Sequence, residues 1–81
     1  MQGNTRKMEE IMKEGVLVFD KSTGRYDIRF NIDEYYGGLH CGDCFEVLIN
    51  NEWKPTCIEM SNEWYLVGIN TTNLLGLRVR K

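Results

Sequence analysis

The sequence predicts a mainly β fold: a small SH3-like antiparallel barrel of five or six short strands, preceded by a short N-terminal helix or a disordered arm. Three observations carry this expectation. From Gly15 onward apolar residues recur with period two, the spacing of strands that bury one face. The runs are separated by tight-turn chemistry at Lys21-Ser22-Thr23-Gly24, Gly42-Asp43, Asn50-Asn51 and Ser61-Asn62. Finally, 81 residues with 42% hydrophobic and 27% charged side chains suit one globular domain with a single core. A chain of this size buries only roughly 60 to 65% of the surface its unfolded form exposes, so a partner or a second copy would add stability.

Residues 1–14 form the predicted helix or arm and residues 15–81 the barrel domain. Met8, Ile11 and Met12 lie at helical spacing among Arg6, Lys7, Glu9, Glu10, Lys13 and Glu14, and Gly15 stands where a helix C-cap would sit. So short a helix is ordered only if its apolar stripe finds a surface to cover.

The first predicted hairpin joins 16–20 to 25–30, with Gly24 supplying a positive φ. With Asp20 opposite Arg25, the side chains of Leu17, Phe19, Tyr26, Ile28 and Phe30 share the inner face, and Arg25, Asp27 and Arg29 the solvated one. The next hairpin joins 44–49 to 52–60 through Asn50-Asn51, a pair suited to a type I′ turn. That turn sets Ile49 opposite Glu52, Leu48 opposite Trp53, Glu46 opposite Pro55 and Cys44 opposite Cys57. Reading Ser61-Asn62 as another two-residue turn sets Met60 opposite Glu63, Glu59 opposite Trp64 and Cys57 opposite Leu66 in a strand over 63–69. A loop with a 3₁₀ turn at Leu74-Leu75 then leads to a last strand over 77–80.

This register sorts Phe45, Val47, Ile49, Ile58, Met60, Tyr65, Val67 and Ile69 into the core. It leaves Cys44, Glu46, Leu48, Trp53, Pro55, Cys57, Glu59, Trp64 and Leu66 on a second face that is unusually apolar. Contiguous apolar surface on a small domain marks something that covers it. The cover is either intramolecular, by the N-terminal helix or the Tyr35-Tyr36 segment, or a bound protein or second copy of the chain, which makes the expected function a non-enzymatic interaction module. The candidate binding surface is Tyr35, Tyr36, Leu48, Trp53, Trp64 and Leu66, rich in the aromatic side chains that dominate interfaces.

His40, Cys41, Cys44 and Cys57 have the ligand types of a structural zinc site, and Cys41-x-x-Cys44 has one common spacing. Against zinc, Cys57 lacks the closely spaced companion that normally completes the motif. Adjacent His40 and Cys41 also point to opposite sides of an extended chain. The favoured reading is three free cysteines acting as small apolar side chains, with a Cys44–Cys57 cross-strand bond as their oxidised form. No cofactor is expected. His40 is the only histidine and has no serine or acidic pair at catalytic spacing, so no enzyme is expected. Gly37-Gly38 lacks the longer frame of a phosphate loop and reads as a bend.

The net charge of -2 and isoelectric point near 5.3 oppose binding driven by phosphate neutralisation. Arg78, Arg80 and Lys81 form a basic C-terminal patch, and a nucleic-acid-binding small barrel is the alternative function, with a zinc-bearing module third. An odd cysteine count and no apolar run longer than Val16-Leu17-Val18-Phe19 predict a cytoplasmic protein with no membrane contact.

Several separated motifs recur together: Gly15-Val16-Leu17-Val18, Arg25-Tyr26-Asp27-Ile28-Arg29-Phe30, the run from Glu34 through Tyr35-Tyr36-Gly37-Gly38 to Val47, Trp64-Tyr65-Leu66-Val67-Gly68 and Leu75-Gly76-Leu77-Arg78-Val79. On these the chain resembles a bacterial family known as domain of unknown function 5348, from about Gly15 to Val79. The resemblance implies small bacterial proteins and carries no activity, cofactor or partner. The family pattern usually has arginine where this chain has Cys57, which implies that Cys57 is not a ligand the fold depends on.

Overall fold

The structure, a computed structural model, describes residues 12–71 and 73–81. Seven strands form an antiparallel sheet: β1 (Glu14–Asp20), β2 (Arg25–Asn31), β3 (Glu34–Tyr35), β4 (Cys44–Ile49), β5 (Glu52–Met60), β6 (Trp64–Leu66) and β7 (Arg78–Arg80). Their order is β3-β2-β1-β7-β4-β5-β6. The expected mainly β, antiparallel fold is therefore present, but the barrel is not closed. Its edge strands, β3 and β6, span only 2 and 3 residues and do not pair with each other.

The first hairpin has the expected register, Asp20 opposite Arg25 through Val16 opposite Arg29. The Asp20 carboxylate ties its loop by accepting from the Ser22 hydroxyl at 2.7 Å and the Ser22 N–H at 2.9 Å. Those bonds hold its pKa below the ordinary aspartate value. Asn50 and Asn51 both take positive φ, at 52° and 67°, as a type I′ turn requires. The β4–β5 register follows as predicted, from Ile49 opposite Glu52 to Cys44 opposite Cys57.

The expected helix over 1–14 lies, for its first eleven residues, outside the described residues. Beyond them the chain is already extended: Lys13 exchanges backbone hydrogen bonds with Lys81, at 3.0 and 2.9 Å, and Glu14 opens β1 opposite Arg80. Gly15 is thus a buried strand residue opposite Val79, not a helix cap.

The largest departure is at β6. Met60 faces Trp64, Glu59 faces Tyr65 and Ile58 faces Leu66, so the connection is the three-residue Ser61-Asn62-Glu63. Side chains alternate along a strand, so this one-residue difference inverts β6. Leu66 is 1% exposed and Trp64 packs against the core, whereas Tyr65 and Val67 are 42% and 47% exposed. Met60, also predicted inside, is exposed at the end of the β5 ladder, and so is Phe19 on the first hairpin.

The core is Leu17, Ile28, Leu39, Phe45, Val47, Ile58, Leu66, Leu74 and Val79, with Tyr26, Phe30, Ile49, Trp64, Ile69 and Leu77 packed around it. Among the described residues the one buried polar side chain, Thr56, donates its hydroxyl to the Val67 carbonyl at 2.8 Å, and none is left buried without a partner. A loop, not a ladder, bridges the open side. Leu39 donates its N–H to the Tyr26 carbonyl on β2, Gly42 donates to the Ile58 carbonyl on β5, and both bonds are 2.8 Å. The Leu39 side chain between them is fully buried. Among the described residues no helix is long and apolar enough to cross a membrane.

Candidate functional site

The sheet face opposite the core holds the candidate surface, with altered membership. Leu48 and Trp53 lie directly opposite each other on β4 and β5 as expected, but half-buried, and Pro55 is exposed beside Glu46. Trp64 and Leu66 belong to the core. Their places are taken by Tyr65, opposite Glu59, and Val67, whose N–H donates to the Cys57 carbonyl at 3.0 Å. Tyr35 lies at the other edge opposite Arg29, with the Arg29 guanidinium 6.0 Å from its ring centre. Adjacent Tyr36 is also exposed and has the Lys81 ammonium 5.2 Å from its ring centre.

The basic patch does not present free cations. Arg80 lies 4.4 Å over the Trp53 ring while its Nε donates to Glu46 Oε1 at 2.6 Å. Arg78 approaches Glu14 at 3.8 Å, and Lys81 donates to the Cys44 carbonyl at 2.6 Å. Two of the three cations are therefore paired with carboxylates, and the third with a backbone carbonyl. A guanidinium this close to the indole adds roughly 0.5–1 kcal/mol of cation–π attraction where exposed.

Gly37-Gly38 acquires a specific role. Their φ values are 114° and 102°, and both N–H groups donate to Asp27 Oδ1, at 2.9 and 2.8 Å, beside the Ile28 N–H at 2.8 Å. Consecutive N–H groups aimed at one point make an anion cradle. Here the chain's own carboxylate fills it, which explains the missing phosphate-loop frame. Asp27, read from sequence as a merely solvated residue, anchors the segment that carries Tyr35 and Tyr36. Asp27→Ala leaves three N–H groups without this acceptor and is expected to destabilise the fold by about 2 kcal/mol, read from the urea midpoint.

The cysteines form a disulfide where three free thiols were expected: Cys44 is bonded to Cys57, with Cα atoms 3.9 Å apart, and Cys41 is free and exposed. The cause lies in the ladder. Gly42 N–H and Asp43 C=O both bond to Ile58, so Asp43–Ile58 occupies a hydrogen-bonded site and Cys44–Cys57 the next, non-hydrogen-bonded one, where side chains stand closest. Two of the four candidate zinc ligands are thereby joined to each other. His40 is exposed on the turn, its N–H bonded to Asp43 Oδ2 at 2.8 Å, and the described residues contain no metal-binding cluster of three ligands.

The geometry matches a known fold. A crystal structure of a protein from Ruminococcus gnavus is 56% identical, with a TM-score of 0.82, covering 85% of this chain and all of that one. No curated protein matches the chain. The family model described as domain of unknown function DUF5348 matches residues 15–81, the whole sheet except Glu14, and the chain belongs to that family.

Proposed function

We propose that the chain is a non-enzymatic interaction module that docks on a protein, or on its own copy, through the sheet face bearing Leu48, Trp53, Pro55, Tyr65 and Val67. The observation that carries this reading is the exposure of Tyr65 and Val67 beside the Trp53 strand. Among the described residues the strongly contacting strands are all ladder neighbours, and none lies across this face. Aromatic and aliphatic side chains framed by paired charges have the composition of an interface core with a polar rim. The internal ion pairs disfavour the nucleic-acid alternative, because a phosphate chain would have to displace Glu46 and Glu14 from the arginines it needs.

The test is the Tyr65→Glu, Val67→Glu double variant. It should keep the far-ultraviolet spectrum and the cooperative melt while losing at least tenfold in association, read by sedimentation across a concentration series and by co-purification with the partner. Unchanged behaviour in both measurements rejects the surface. Binding of a single-stranded oligonucleotide at low salt, abolished by Trp53→Ala, would favour the alternative.

A further inference from the structure

We propose that the three cysteines form an internal thiol–disulfide switch with Cys41 as the attacking thiol. Three observations converge. The exposed Cys41 thiol sits in a tight turn closed by the Asp43 N–H donating to the His40 carbonyl at 3.0 Å, with Gly42 at φ 92°. Cys44, three residues on, is itself exposed, while its partner Cys57 is half-buried. The Cys44 sulfur folds back over this turn, 3.2 Å from the Gly42 carbonyl oxygen, the residue next to Cys41. The more exposed cysteine of the pair thus belongs to the same turn as the free one.

The step balances without an added oxidant or reductant. Cys41 gives up its proton, and the thiolate attacks Sγ of Cys44. The Cys41–Cys44 bond forms as the Cys44–Cys57 bond breaks, and Cys57 leaves as a thiolate that takes up a proton. Each isomer contains one disulfide and one thiol. In the structure's isomer β4 is covalently tied to β5. In the other the tie lies within the turn, the two strands are held by the ladder alone, and the free thiol lies on the sheet face beside Val67.

Full-length oxidised protein, held without added thiol, is sampled over time and its free thiol trapped with a maleimide. The remaining cysteines are then reduced and capped with iodoacetamide, and each label is located by peptide fragmentation. The maleimide should divide between Cys41 and Cys57. Its appearance on Cys57 should accelerate as the pH is raised, because the thiolate is the attacking species. Cys41→Ser should take up no maleimide, since its only disulfide has no internal thiol to open it. Label confined to Cys41 at every pH overturns the proposal, as does label on all three cysteines or a Cys41-linked dimer as the sole product. These readouts do not depend on partner binding, so the switch and the docking face fail separately.

Discussion

Gly15→Ala is expected to lower stability by about 2 kcal/mol, and Gly15→Val by about 3 kcal/mol. A Cβ at this position would stand 2.5 Å from the Arg29 carbonyl oxygen and 2.8 Å from Ile28 Cγ2. The first neighbour is backbone of the adjacent strand and cannot rotate away. Sign makes the experiment decisive. On a strand with room, replacing glycine by alanine gains about 0.5–1 kcal/mol through the unfolded chain's lost freedom. A loss at Gly15 therefore measures the close approach of β2 over β1. For a domain of this size the valine variant should melt roughly 12 to 24 °C lower. Urea denaturation with an unchanged slope would confirm that the native state, not the denatured ensemble, carries the effect.

Leu66→Ala and Val67→Ala should differ sharply although the residues are neighbours. Leu66 is sealed in the core, and its truncation removes buried methyl groups and leaves a cavity, a loss of roughly 3 kcal/mol. Val67 is 47% exposed, and its truncation should stay within about 0.5 kcal/mol. The two-residue turn would predict the reverse order. Equilibrium unfolding of the two variants thus reads the β5–β6 register directly, and equal losses would contradict both registers.

Why one register was legible in the sequence and the other was not is a matter of turn chemistry. Asn50-Asn51 commits to a two-residue turn because both residues tolerate positive φ, and the pairing from Ile49–Glu52 to Cys44–Cys57 follows from it. Ser61-Asn62-Glu63 has no such commitment. Ser61 simply donates its N–H to the Glu63 carbonyl at 3.1 Å, and the extra residue shifts every later side chain. Leu39 and Leu74 were missed because each stands alone in a loop, outside any periodic run. Leu39 is buried because its loop crosses the open side, and Leu74 because its loop returns to β1, where the Gly76 N–H donates to the Leu17 carbonyl; both are long-range properties. Closure of the barrel was over-read for a related reason, since short alternating strands show that a sheet curls but not whether its last strand reaches its first.

The candidate face was legible in outline. Leu48 and Trp53 lie opposite each other as the Asn50-Asn51 turn sets them, Tyr35 and Tyr36 lie at the far edge of the sheet, and the apolar character persists because the inversion of β6 exchanged one aromatic and one aliphatic residue for another such pair. The roles of Asp27 and Arg80 were not legible. Asp27 acts through Gly37 and Gly38, ten and eleven residues away, and Arg80 through Glu46 and Trp53 on other strands. The signal available for the first was two adjacent glycines with no phosphate motif around them.

Trp64 gives the open sheet its seam. Its indole N–H donates to the Gly24 carbonyl at 3.0 Å across a separation of 40 residues. The hairpins on either side close over loops of a few residues, whereas this contact must wait until both exist, because closing a long loop costs entropy before any bond repays it. The expected order of assembly is therefore local hairpins first and the seam last. The residue that completes it also carries its own optical label: in a Trp53→Phe background the fluorescence of Trp64 reports when this contact to Gly24 forms, while Trp53 on the outer face reports the β4–β5 hairpin.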